Sequence, residues 1–275
     1  MRLIKLLLAT LLLVVTGLYC VTMVREKASG QNIGPTISCP QELLQISVQD
    51  PESVLLTGVT AQDEQDGDLT AHILIQGVSR QITDSTTSVT YLVFDSDGNS
   101  ATASRSIRYK DYTSPRFEIK QPLLYYSTST IALLDRIQVV DCLDGDITNV
   151  IRVGTLDTTS DPEIYTTTVQ ATNSLSDTTR LTLPMVVYAT TANRPQIQLS
   201  KYLVYLKQGD AFRPEWYLRS VRFSEELALS ASELEENSVR MEGNVDTSVP
   251  GTYMVTYRYA YEGTTALAVL TVVVE

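Results

Sequence analysis

The chain repeats itself. Pro35-Thr36-Ile37-Ser38, Pro115-Arg116-Phe117-Glu118 and Pro195-Gln196-Ile197-Gln198 share the pattern proline, polar, apolar, polar, and by subtraction the prolines stand 80 residues apart both times. One more such interval reaches the end of the 275 residues. A fixed interval of this size marks one supersecondary unit used three times, with modules at 35–114, 115–194 and 195–275. The prolines follow short polar joints, Asp111-Tyr112-Thr113-Ser114 and Thr190-Thr191-Ala192-Asn193. There a missing N–H costs least, and the ring stiffens the start of an edge strand. Joints this short predict an extended, semi-rigid array.

Within each module the alternation has period two, the signature of strands. Val89, Tyr91 and Val93 fall on one face in the first module, Tyr165, Thr167 and Val169 in the second, and Tyr253, Val255 and Tyr257 in the third. Turn chemistry accompanies them at Asp97-Gly98-Asn99, Asn173-Ser174 and Val249-Pro250-Gly251. A last strand closes each module at 104–109, 181–188 and 267–274. Several short strands in about 80 residues predict an all-β sandwich, with a small barrel as the alternative. One stretch departs from this: Ser230 with Glu233 is either a capping box on a short helical turn or part of an acidic surface loop.

Residues 6–24 form an uncharged run flanked by Arg2 and Lys5 before it and Arg25 and Lys27 after it. Nineteen residues match a hydrocarbon core of about 30 Å, and a cleaved signal peptide ordinarily has a shorter apolar stretch. The expectation is a single-span N-terminal transmembrane helix within residues 1–34, a short linker to Gly34, and a C-terminal region outside the cell, with a signal sequence cleaved at Ala28-Ser29-Gly30 as the alternative. Lys and Arg number 21 against 32 Asp and Glu, for a formal charge of −11. That balance excludes a phosphate-backbone partner, so no nucleic acid is expected. Cys20 lies in the apolar run, leaving Cys39 and Cys142 about one module length apart. That is roughly 20–26 Å at strand spacing, beyond the reach of a disulfide. The modules must hold by packing alone.

Two modules carry the same acidic string: Asp63-Glu64-Gln65-Asp66-Gly67-Asp68-Leu69-Thr70 and Asp141-Cys142-Leu143-Asp144-Gly145-Asp146-Ile147-Thr148. The third carries Val245-Asp246-Thr247-Ser248-Val249-Pro250-Gly251-Thr252-Tyr253 and lacks Asp-Gly-Asp, with Glu225-Glu226 at the corresponding depth. These two strings together resemble those of the bacterial Ig-like domains that occur in tandem on cell-surface proteins. The resemblance spans the three modules unevenly, since the second lacks the Pro-Gly-Thr-Tyr turn. It implies three tandem immunoglobulin-like β-sandwich modules, a bacterial host, and a role in adhesion, presentation or spacing; it implies no chemistry.

Asp-Gly-Asp admits two readings. In one, Gly67 and Gly145 supply a positive φ and the flanking Asp side chains cap nearby N–H groups. In the other, Asp63, Asp66 and Asp68, and likewise Asp141, Asp144 and Asp146, gather around Ca²⁺, which takes six to eight oxygens. If the motif follows the second strand, the second copy sits near the joint that leads into its module.

Catalysis finds little support. His72 is the only histidine, and no phosphate loop, Cys/His cluster or nucleophile elbow is present. A string copied in successive modules is more naturally a folding or ion-binding element than an active site. Trp216, the only tryptophan, adjoins Tyr217 and is either a core residue or part of a carbohydrate or protein contact surface. Two functions remain: a membrane-tethered, non-catalytic stalk or adhesin-like protein with an unidentified surface partner, or a carbohydrate-binding module using Trp216 and Tyr217.

Overall fold

A computed structural model describes residues 11–22, 34–127, 131–190, 194–224, 227–235 and 238–275. The first strand starts directly after Pro35. Strands β1 (Thr36–Ser38), β2 (Leu43–Ile46), β3 (Thr60–Asp63), β4 (Gly67–Asp68), β5 (Leu74–Val78), β6 (Thr86–Phe94) and β7 (Ser100–Tyr109) make the first module. The second has β8 (Arg116–Ile119), β9 (Leu124–Tyr126), β10 (Ile137–Asp141), β11 (Gly145–Asp146), β12 (Arg152–Thr158), β13 (Ile164–Thr172) and β14 (Thr178–Tyr188). The third has β15 (Gln196–Leu199), β16 (Leu203–Leu206), β17 (Leu218–Arg222), β18 (Ala228–Ser230), β19 (Val239–Glu242), β20 (Gly251–Tyr261) and β21 (Thr264–Val274).

Each set of strands builds one three-stranded and one four-stranded sheet in equivalent order: β1-β3-β4 with β2-β7-β6-β5, β8-β10-β11 with β9-β14-β13-β12, and β15-β17-β18 with β16-β21-β20-β19. The result is three tandem β-sandwiches. The period-two residues mark the inner faces: Val89, Tyr91, Val93, Val169, Val255 and Tyr257 are buried, while Tyr165 and Tyr253 lie half-buried. In the second and third modules the short strand after the proline-led one pairs parallel to the last strand, β9 with β14 and β16 with β21.

The strands fall into two compact units, one built mainly from β1–β7 and the other from β8–β21. The second unit joins two modules, and the alternation on their last strands explains why. On β14, Leu181, Leu183 and Met185 fill the second module's own core. Val186 and Tyr188 point the other way and pack with Ile164 against Leu267 and Val269 of β21. Ala266, Ala268, Leu270, Val272 and Val274 of β21 in turn fill the third module's core. A strand apolar on both faces must be covered on both. Leu203 completes this seam by entering the second module's core, with Tyr205 and Val273 packed beside it.

Arg116, at the start of the second module, forms an ion pair with Glu275 at the end of the third. In an end-to-end array these residues would lie two module lengths apart. The third module therefore lies back alongside the second, which corrects the expectation of an extended array for this pair. Burial of the second faces of β14 and β21 outweighs the stiffness of a short joint, whose residues Thr191, Ala192 and Asn193 lie outside the described ones.

Residues 11–22 form a helix with exposed side chains. Among the described residues no helix is long and apolar enough to cross a membrane. Twelve residues rise about 18 Å, short of the 30 Å or so of a hydrocarbon core. The rest of the expected span, and the linker up to Gly34, lie outside the described residues. Ser230 and Glu233 form a turn: the Glu233 carboxylate accepts from the Ser230 N–H at 2.8 Å and its hydroxyl at 2.6 Å. This is half of the expected capping box; Glu236 lies outside the described residues.

Candidate functional sites

The two Asp-Gly-Asp strings are tight hairpins, with Asp63 opposite Gly67 and Asp141 opposite Gly145. The glycines adopt φ of 73° and 71°, a left-handed conformation that strains any side chain. Asp63 Oδ1 accepts the N–H groups of Gln65 and Asp66, both at 2.9 Å. Asp141 Oδ1 accepts those of Leu143 and Asp144, also at 2.9 Å. Asp68 and Asp146 accept the N–H of Thr70 and Thr148 at 2.9 Å. The threonines open 3₁₀ turns, and His72 closes the first of these turns on the surface.

Asp66 and Asp144 reach further. Asp66 accepts the backbone N–H of Ser96 at 2.7 Å and its hydroxyl at 2.8 Å, and Asp144 accepts the same two groups of Ser174 at 2.6 and 2.8 Å. Each motif thus clamps its hairpin to the loop before the last strand. The Ser96 N–H and hydroxyl hold the Asp66 carboxyl below the ordinary carboxylate range. The hydroxyl and N–H of Thr70 and Thr148 do the same for Asp68 and Asp146. Neither serine stands out in the sequence. The signal that would have found them is their identical separation of 30 residues from Asp66 and Asp144.

The second hairpin also meets its joint, although it follows the third strand of its module, β10, and not the second. The Cys142 thiol donates to the Thr113 carbonyl at 3.1 Å. The Tyr112 hydroxyl donates to Asp177 and accepts from the Asn173 amide, each at 2.8 Å. Burial, reinforced by the bond to Asp177, raises the Tyr112 hydroxyl well above its ordinary pKa. The same Asn173 amide donates to Asp141 Oδ2 at 3.1 Å, so that this carboxylate, only 3 % exposed, has a partner on each oxygen. In the first module Asp63 Oδ2 is buried without a partner. By subtraction Asp95 precedes Asn173 by 78 residues, as Asp63 precedes Asp141, and a carboxylate at that place cannot donate.

Among the described residues no group of three or more His, Cys, Asp or Glu side chains is arranged to hold a metal ion. Asp63, Asp66, Asp68, Asp141, Asp144 and Asp146 come together as hairpin caps and loop clamps. Cys39 and Cys142 are free thiols.

Trp216 and Tyr217 are brought together in sequence only. They belong to a 3₁₀ turn, Pro214–Tyr217, from which Trp216 projects outward at 56 % exposure with Arg213 6.0 Å from its ring. Tyr217 turns inward and stacks on Phe212 with ring centroids 5.7 Å apart. A further feature was not visible in the sequence. At the seam of the second and third modules, a cleft of about 600 Å³ opens between Leu124, Tyr126, Val186, Tyr202 and Val269.

No known protein family matches the chain, and no curated protein does. Three solved structures show low similarity to it. A Clostridium perfringens ZmpB fragment, CBM51-2 in complex with GlcNAc and INT domains, is 16 % identical at a TM-score of 0.23, covering 56 % of this chain and 41 % of its own. The protocadherin GammaB4 extracellular domain is 13 % identical at a TM-score of 0.20, covering 89 % and 50 %. Drosophila N-cadherin EC1-4 is 14 % identical at a TM-score of 0.22, covering 89 % and 76 %. The chain thus spans half or less of the first two.

Proposed function

We propose that this chain is a non-catalytic structural and interaction protein of the cell surface, bacterial by the resemblance of its motifs, tethered by residues 6–24 and displaying its modules outside the cell. The observation that carries this reading is the use made of the repeated polar residues. Asp66 with Ser96 and Asp144 with Ser174 tie loops together, and the seam side chains tie module to module; in both places polar groups are committed to rigidity. A displayed scaffold needs stiffness and a presented surface, not a reacting centre. The test is surface labelling of cells making the full chain with a membrane-impermeant reagent, followed by alkaline extraction of the membranes. Labelled protein that stays in the membrane pellet is expected. Unlabelled protein, or labelled protein released by alkali, would remove the tether from this reading.

A second reading, carbohydrate binding by the third module, has one observation in its favour: Trp216 offers an exposed indole of the kind that stacks on sugar rings. Tyr217 contributes only by fixing the turn. Screening the purified protein on a glycan array beside Trp216→Ala decides it, since binding that survives the substitution does not use this ring. Calcium belongs to the same set of tests. A Ca²⁺ titration of the melting temperature measures whether the Asp-Gly-Asp hairpins take a cation in addition to their hydrogen bonds.

A further inference from the structure

The cleft at the seam is chemically two-sided. Its accessible apolar side chains are those of Pro122, Leu124 and Tyr126 of the second module, beside the buried Pro184, Val186, Leu267 and Val269. Two of its lining residues, Gln198 and Tyr202, also line a second hollow whose remaining walls are Leu199, Arg219, Ser220 and Arg222. An apolar trough therefore runs into a cationic one. The irregularity in the pairing of β15 with β17 makes the cationic end. Register shifts between Gln198 opposite Ser220 and Leu199 opposite Leu218, leaving Arg219 without an opposite residue. With Leu218 and Val221 both turned to the core, Arg219 joins Ser220 and Arg222 on the outer face. Bulges commonly re-aim a side chain in this way.

In a chain of net charge −11, two arginines on one outer face of a short strand are a local reversal of sign. Arg136 adds a third cation to the cleft itself. Its guanidinium lies 4.5 Å from the centre of the Tyr125 ring, and its Nη1 donates to the Leu124 carbonyl at 2.8 Å and to that of Pro122. The Arg219 carbonyl accepts the Ala231 N–H at 3.0 Å, while its guanidinium makes no hydrogen bond or ion pair among the described residues. Segregated polarity of this kind suits a ligand with the same division. A free sugar presents hydroxyls all round and would leave them unpaired against the prolines and leucines.

We propose that the seam binds an amphipathic anion, with a hydrocarbon body along Pro122, Leu124 and Tyr126 and a carboxylate or phosphate at Arg219 and Arg222. The site needs both modules, so it exists only because the third lies back on the second. It does not depend on whether the chain is tethered to a membrane.

Calorimetric titration of the purified protein with decanoate tests this, beside octyl glucoside, glucuronate and a short peptide ending in leucine carboxylate. Decanoate binding is expected, weakened about tenfold or more by the exposed double substitution Arg219→Ala/Arg222→Ala, as fits loss of charge-assisted bonds. Gln196→Trp, at the exposed rim, should also weaken it by filling the mouth. The melting temperature without ligand checks that both variants are folded. Absence of decanoate binding overturns the proposal, as does decanoate binding that the arginine substitutions leave unchanged. Binding of glucuronate or the peptide in place of decanoate overturns it in favour of a sugar acid or a chain terminus.

Discussion

The hydroxyl of Tyr188, on the last strand of the second module, accepts the backbone N–H of Leu267 on the last strand of the third at 2.7 Å. Both residues are 1 % exposed, and Arg194 covers the tyrosine ring at 4.3 Å. A buried N–H has no water to turn to, so this bond fixes where β21 stops along β14. Tyr188→Phe should cost about 2 kcal/mol by leaving that N–H unpaired. For a unit of this size the melting temperature should fall by about 4–8 °C. Calorimetry measures it, and the unit built from β1–β7 should melt unchanged.

Alkali should loosen the same seam. Burial pushes the Tyr205 hydroxyl up to about 12 from an ordinary 10.0, opposed by its bond with the Phe117 N–H, and burial likewise raises Tyr188. A group whose pKa is raised on folding keeps its proton while the unfolded chain loses it, so stability falls with rising pH. The contribution is whole below pH 10 and is lost as pH climbs through 12. Denaturant midpoints across that range should fall steeply for the native protein and less steeply for Tyr205→Phe.

The ion pairs across the seam should not be equal. Arg116 and Glu275 are 45 % and 46 % exposed, whereas Arg258 and Asp161 are 30 % and 17 % exposed. Exposed pairs contribute less than about 1 kcal/mol, so Glu275→Gln should leave the melting temperature nearly unchanged. Asp161→Asn should lower it clearly. Burial works against ionised Asp161, but its bonds from Arg258 and the Glu163 N–H overcome this and keep its pKa low. A depressed carboxylate stabilises above its unfolded pKa and loses that effect as pH falls through the folded value. The difference between native protein and Asp161→Asn should therefore vanish in acid, below pH 3.8.

Asp95→Asn should stabilise the first module. The substitution recreates the arrangement of the second, where the Asn173 amide donates to Asp141, and it offers a donor to the buried Asp63 oxygen that has none. The cost is the bond Asp95 now accepts from the Asn99 side chain at 2.8 Å, while Asn99 remains free to turn to water. A higher melting temperature for this unit, absent in the double substitution Asp63→Ala/Asp95→Asn, is the expected outcome.

Much of the fold was legible from the chain because it depends on local regularities. The prolines at 35, 115 and 195 marked the modules' first strands. The alternation through Val89, Tyr91 and Val93 named a core face, and the glycines of Asp-Gly-Asp marked turns. The candidate sites were legible only where they are local. Asp63 caps residues two and three positions on, and that much follows from the string itself. That Asp66 spends its carboxylate on Ser96 does not, because the two meet only when separate loops are brought to one end of a sandwich. Trp216 and Tyr217 show the same limit from another side: adjacent residues on a 3₁₀ turn diverge, and the sequence does not say which one the core takes.

The amino-acid sequence by itself determined the number of modules, their strand content and the conformation of their turns, since each follows from periodicity and from backbone preferences acting over a few residues. The tertiary structure decided how the modules combine. A trace of that decision was present: the last strand of the first module reads Ser100-Ala101-Thr102-Ala103-Ser104-Arg105, while Leu181–Tyr188 and Ala266–Val274 run apolar on both faces. An apolar second face demands a cover but does not name it. Only the packed structure shows that β14 and β21 cover each other, and the cleft with its cationic end arises from that pairing. Burial of apolar surface has no direction of its own, so its partner is chosen by shape and by contacts such as Tyr188 to Leu267, which no short window of sequence contains.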